Sequence, residues 1–171
     1  MIKMLGAILV VASCTAMGLG VASQMRHRVR VLSSMILALQ MMRGEISLRL
    51  TPLPELVGRL SEEAPIEVQG FFKELGGRLD RLGDERFSEI WVKALEKNEE
   101  LGLGDGELAA MKHLGSTLGR FNREEQEAAL NRCISELEDC RSAARNEVDT
   151  QGKLFTGLGV AGGITLAIML V

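Results

Sequence analysis

Apolar residues recur at helical spacing through the middle of this chain, and at both ends polar residues almost disappear. The clearest stripe is Phe87, Ile90, Trp91, Ala94 and Leu95, which fall at i, i+3, i+4, i+7 and i+8. That spacing gives one apolar face of an amphipathic helix, with Asp84 as its candidate cap. Upstream, Arg26 to Leu50 contains no proline and only Gly44 as a breaker, so it should continue a helix that begins in the N-terminal run. Thr51 offers an N-cap with Pro52 at the first helical position, where the missing N–H costs nothing. The helix it starts should reach about Glu63. Pro65 repeats the device after Ala64, and Ile66, Phe71, Phe72, Leu75, Leu79 and Leu82 follow among polar residues before Gly83 closes the segment.

"LGLGDG", residues 101 to 106, is a breaker. Asp105 can cap a helix that carries Leu108, Met111, Leu114 and Leu118 and ends near Gly119. Asn122 with Glu125 three residues on resembles a capping box. It opens a last helix whose stripe is Leu130, Cys133, Ile134, Leu137, Cys140, Ala144 and Val148, and which runs past Lys153 without a proline. No strand-like alternation of useful length occurs. The pattern predicts an all-α antiparallel helical bundle in which long first and last helices pair and shorter helices close one end.

The ends change the picture. Met4 to Met25 is 22 residues without a charge, and Leu154 to Val171 is 18. A bilayer core needs about 20 apolar residues of helix, and 18 residues at helical rise reach about 27 Å. Both runs therefore read as transmembrane helices, giving a first span at 1–25, a bundle at 26–152 and a second span at 153–171. A cleaved leader would have a shorter apolar core, and although Gly20 and Ala22 resemble a cleavage site, Arg26, Arg28 and Arg30 follow at once as a stop-transfer flank. "VASC", Val11 to Cys14, resembles a lipoprotein box, but the apolar run continues beyond Cys14. A buried core helix is the other reading of an all-round apolar rod, and a bundle of this length has little room for two. Small residues recur at Ala12, Ala16 and Gly20 and at Gly159 and Gly163, spacing that lets membrane helices approach closely. Their partner, the other span or another protein, is open.

Charge distribution sets the expected orientation. The chain carries 20 Lys and Arg against 23 Asp and Glu, a net charge of −3. Every acid lies between Glu45 and Asp149, and apart from Lys3 every base lies between Arg26 and Lys153. Arg26, Arg28, Arg30 and Lys153 form a basic flank at the edge of both runs, so the positive-inside rule puts the bundle in the cytosol. The arginines have no aromatic neighbours and suit anionic lipid headgroups better than nucleic acid.

Candidate chemistry is sparse. The two histidines, His27 and His113, have no partner at metal-ligand spacing. Cys133 and Cys140 sit seven apart on one helix, about 10 Å between Cα atoms, beyond disulfide reach. "GLGDG" lacks the strand and the final glycine of a dinucleotide fingerprint, and "HLGSTLG" lacks the nucleophile-elbow spacing. No cofactor and no metal are expected, and the chain reads as non-enzymatic, with its function in its surfaces. The acids Glu96, Glu99, Glu100, Asp105 and Glu107 cluster around the breaker and are the candidate docking surface for a partner.

The layout, with "EISLRLTPLPEL" (Glu45 to Leu56), "HLGSTLG" (His113 to Gly119) and "KLFTGLGVAGGITLAIMLV" (Lys153 to Val171), resembles the stage III sporulation protein AB family of endospore-forming bacteria. The Thr-Pro-Leu turn at Thr51, the Gly-x-Thr-Leu-Gly element at Gly115 to Gly119 and the Leu-Gly pair at Leu158 and Gly159 carry the match. "SLRL", Ser47 to Leu50, departs from it. The resemblance implies a bundle similar to the cytosolic domain of the type II secretion F proteins and type IV pilus platform proteins. It implies a platform or assembly component of the mother-cell-to-forespore transport complex, in the outer forespore membrane during engulfment, with its bundle in the mother-cell cytosol. Its implied partners are a secretion-type ATPase, other subunits of the complex and membrane lipids. The alternative function is a two-span membrane-surface sensor or regulator with no ATPase partner.

Overall fold

A helix with one apolar stripe must lay that stripe against another helix, and the middle of the chain carries several such stripes in succession. The computed structural model describes residues 2–48, 51–79, 85–120 and 122–170; for 2–19, 21–22 and 151–170 it describes the helical backbone alone. Among the described residues all regular structure is helical. The elements are α1 (Ile2–Leu48), α2 (Leu53–Glu63), α3 (Ile66–Leu79), α4 (Phe87–Lys97), α5 (Asp105–Thr117) and α6 (Arg123–Leu170), with one 3₁₀ turn at Glu99–Leu101. The chain divides into two units, one formed by Met1–Val29 with Ser142–Val171 and the other by Arg30–Arg141.

In the first unit the backbone is helical from Ile2 onward and up to Leu170, as the charge-free runs predict. The side chains of Ala12, Ala16, Lys153, Gly159 and Gly163 lie outside the described residues, as do Asp84, Gly83 and Leu82. Gly20 is exposed. Among the described side chains, Ser23–Leu48 is one stretch long and apolar enough to cross a membrane by length and composition. Half of its most apolar 18-residue segment is buried inside the protein, because its C-terminal part supplies the core of the second unit.

That core draws on every helix. From α1 it takes Val31, Leu32, Met35, Leu39 and Met42, all 0% exposed. To these are added Leu56, Val57 and Leu60 of α2, Val68, Phe71, Phe72 and Leu75 of α3, and Ile90, Trp91, Ala94 and Leu95 of α4. Met111 and Leu114 of α5 and Leu130, Cys133 and Leu137 of α6 complete it. The stripe expected for α4 is thus buried in full, except that Phe87 is half-buried. Ile66 departs from expectation. It is 78% exposed at the first position of α3, while Val68 in the same turn is 0% exposed.

Polar ties set the helix directions. Arg43 Nη1 donates to Asn131 Oδ1 at 2.7 Å, and the Ser47 hydroxyl donates to the Glu127 carboxylate one turn along. Rising numbers on α1 meet falling numbers on α6, so the two helices run antiparallel. Ser47 therefore serves as part of this seam. Buried Ser34 donates to Glu67 Oε2 at 2.9 Å and joins α1 to α3.

Two expected caps are corrected. Thr51 does not cap α2: Pro52 holds that position in extended conformation, and its carbonyl accepts from Leu56 N–H at 3.0 Å. One residue further out, the Thr51 hydroxyl instead donates to Glu45 Oε2 at 2.9 Å, while Arg59 pairs with Glu45 Oε1 at 3.1 Å. The end of α1 is thereby tied to the start of α2. Asp105 is likewise the first residue of α5, and Gly104 caps it. The Asn122 cap forms as expected, its Oδ1 accepting from Glu125 N–H at 2.9 Å.

Trp91 organises the short helices. Its ring meets Phe71 edge to face with centroids 5.0 Å apart, and its Nε1 donates to the Met111 carbonyl at 2.8 Å. The indole lies on the backbone of α5 at Gly115, where any Cβ would collide with it. Gly119, at φ +75°, then turns the chain out of α5 in a left-handed conformation that favours glycine.

Gly115→Ala should lower stability by about 1–3 kcal/mol, the usual cost of overpacking, read by denaturant unfolding followed through the single tryptophan. Burial, with a smaller contribution from Glu136, pushes the Cys133 thiol up to about 12. A raised folded value means this contribution is full below the ordinary 9.0 and is lost as pH climbs toward 12. Because the thiolate is the reactive form, Cys133 in the native protein at about pH 8 should resist a thiol reagent and label only on unfolding, as mass spectrometry of its peptide would report.

Candidate docking site

The surface singled out by sequence is built where α4 gives way to α5. Asn98 ends α4, its side-chain amide donating to the Ala94 carbonyl at 2.8 Å and its N–H to Leu95 O at 3.2 Å. One 3₁₀ turn follows, in which Gly102 N–H donates to Glu99 O at 2.9 Å. Gly102 takes φ +57°, a left-handed position. That reversal brings Leu101 and Leu103 to the same side. Together with Leu95 and Leu108 they line a cleft of 360 Å³, with Glu96 and Glu99 also in its wall.

The five predicted acids divide. Glu96, Glu99, Glu100 and Asp105 are exposed. Glu107 is a correction: it is 1% exposed, and its Oε2 accepts from Gly104 N–H at 2.5 Å. As the third residue of α5, its carboxylate reaches back to satisfy an N–H at the helix start, the reciprocal half of a capping box. It holds the cleft's edge in shape and presents no charge to a partner.

Neighbouring bases are drawn off in pairs. Lys112 reaches Glu96 at 3.1 Å, and Lys97 reaches Glu74 on α3 at 2.9 Å. Glu74 also accepts from Arg78 Nε at 2.7 Å. No salt bridge among the described residues reaches Glu99 or Asp105. Acidic potential therefore gathers beside an apolar floor. The floor itself escaped the sequence reading, which treated "LGLGDG" as punctuation; the signal available was two leucines spaced by glycines in a segment otherwise suited to a polar loop.

The other predicted surface residues lie apart from this cleft's lining. Arg26 and Arg30 are exposed and Arg28 is half-buried, while Lys153 is among the side chains not described. His113 is exposed, and its carbonyl accepts from the Ser116 hydroxyl at 2.7 Å.

Comparison with known proteins agrees along the chain. A family model described as Stage III sporulation protein AB matches residues 3–171. Stage III sporulation protein AB of Bacillus subtilis (strain 168) is 27% identical over 171 residues, with 99% of each chain covered. A solved structure of a Stage III sporulation protein AB superposes with a TM-score of 0.65 at 25% identity, covering 71% of this chain and 96% of that one.

The hydrogen bond from Lys97, only partly offset by desolvation, and then that from Arg78 hold the Glu74 carboxyl below its ordinary 4.5. A depressed folded value contributes stability above that pH, and the contribution is lost as pH falls through the folded value. Glu74→Gln should therefore flatten the acid limb of the stability curve below about 4.5 and cost no more than about 1 kcal/mol at neutral pH, as befits part-exposed pairs. Urea titrations across that range, followed by Trp91 fluorescence, check both points.

Proposed function

This chain belongs to the Stage III sporulation protein AB family, and from that premise we propose that it is a non-enzymatic membrane platform of the mother-cell-to-forespore transport complex, holding a cytosolic secretion-type ATPase. The observation that carries the reading is the extent of the family match, residues 3–171, which takes in both charge-free ends as well as the bundle. In this reading 1–25 and 153–171 cross the membrane, and the small residues Ala12, Ala16, Gly20, Gly159 and Gly163 offer a close-packing face to the other span or to another protein. Arg26, Arg28, Arg30 and Lys153 meet anionic headgroups on the cytosolic side. The bundle, 26–152, faces the mother-cell cytosol, in the outer forespore membrane once engulfment begins.

The physical role of such a platform is positional. A bundle rooted at both ends in a bilayer cannot leave it, so a partner bound to the bundle is held at the complex. Glu99, Glu100 and Asp105 supply the docking charge, with Glu96 beside them paired to Lys112, while Glu107 supports the start of α5.

Charge reversal of Glu99, Glu100 and Asp105 to lysine in the full-length protein should cut co-purification of the secretion-type ATPase from sporulating cells at least tenfold while leaving membrane insertion unchanged. Undiminished co-purification would sink the docking role of these acids. Recovery of lipid with no ATPase, from the unmodified protein, would favour the membrane-surface regulator instead.

A further inference from the structure

The leucine-floored cleft between α4 and α5 has a composition more specific than an acidic face requires. Leu95 and Leu101 form its base at 4% exposure each, and Leu103 and Leu108 stand half-buried at its sides. Its volume of 360 Å³ is at the small end of ligand pockets, which run from about 300 to 1,000 Å³. A small-molecule site adds convergent polar groups that fix orientation. Here the lining polar groups are largely committed, since the Asn98 amide donates to Ala94 O and Glu96 pairs with Lys112. What remains is an apolar floor with Glu99 in its wall and Asp105 close by in sequence, neither engaged by a salt bridge among the described residues.

We infer that this cleft receives a segment of a protein partner in which one or two large apolar side chains are flanked by lysine or arginine. The inference deepens the docking reading of the same surface and rests on it. The leucines would supply the dry anchor pocket, the carboxylates the complementary charge at its rim, an arrangement in which the centre carries affinity and the rim charges govern approach and salt dependence. An acidic segment and a small molecule are the occupants that the arrangement disfavours. Glu107 matters indirectly, because its bond to Gly104 N–H fixes the loop between Leu103 and Leu108.

The test uses the full-length chain in sporulating cells with a photo-reactive phenylalanine analogue replacing Leu103, a half-buried loop residue, and the same analogue at exposed Glu89 of α4, outside the cleft's lining, as control. Fold is checked through Trp91 fluorescence of the purified variants. The expected result is a cross-link from position 103, absent from 89, to a peptide whose mass-spectrometric sequence has a large apolar residue within a few positions of lysine or arginine. Adding Glu99→Lys should lower that cross-link at least fivefold. Absence of a cross-link at 103, a cross-link to an acidic or uncharged segment, or one to a second copy of this chain would overturn the inference. If the ATPase still co-purifies while position 103 captures nothing, the cleft assignment falls and the platform reading stands. If a basic, apolar segment of another protein is captured and no ATPase co-purifies, the ATPase reading falls and the cleft assignment stands.

Discussion

The contact on which the short helices depend is the seat of Trp91 on the backbone of α5. An indole can reach the Met111 carbonyl only where the helix beneath it lacks a side chain, and Gly115 provides that gap. The same ring takes the edge of Phe71 from α3. Three helices are thereby keyed to one side chain, with its polar N–H satisfied inside the core, as a buried tryptophan requires. The Gly-x-Thr-Leu-Gly element that carries the family resemblance owes its two glycines to packing and turning: Gly115 admits the indole, and Gly119 takes the left-handed turn.

From that anchor the docking surface follows. With α4 and α5 locked face to face, the segment joining them must reverse within a few residues, and it does so through a 3₁₀ turn and a left-handed Gly102. Tight reversal leaves Leu101 and Leu103 on one side, with the acids around them. Glu107 caps the new helix from within. A second set of ties, Glu45 with Thr51 and Arg59 and Ser34 with Glu67, fastens α1 to α2 and α3. Each side chain in this set is part-buried and hydrogen-bonded, so each specifies a register more than it adds to total stability.

Most of the helical architecture was legible because its signals are local. The α4 stripe, the prolines before α2 and α3, the Asn122 cap and the uninterrupted first and last helices all depend on residues within one or two turns of one another. Cap positions at Thr51 and Asp105 were misread by a single residue, since Pro52 and Gly104 meet the geometric needs of an N-cap without a side-chain bond. Ile66 was misread because spacing alone does not tell which way the first residue of a helix faces: Ile66 is exposed, while Val68 in the same turn is 0% exposed.

By itself, the sequence determined that this chain is helical throughout its regular parts, that its charges are confined to the middle, and which family it resembles, because periodicity, composition and motif order are properties of the string. Only the tertiary structure decided which acids face outward and which is consumed by the fold. Glu99 and Glu107 are equally charged and eight positions apart, yet one is exposed and the other 1% exposed. The difference arises at the start of α5, where the Glu107 carboxylate turns back to accept from the Gly104 N–H and is buried there. The leucine floor is also a product of the fold: Leu95 and Leu108 are thirteen residues apart and become neighbours of one cleft only through the reversal at Gly102.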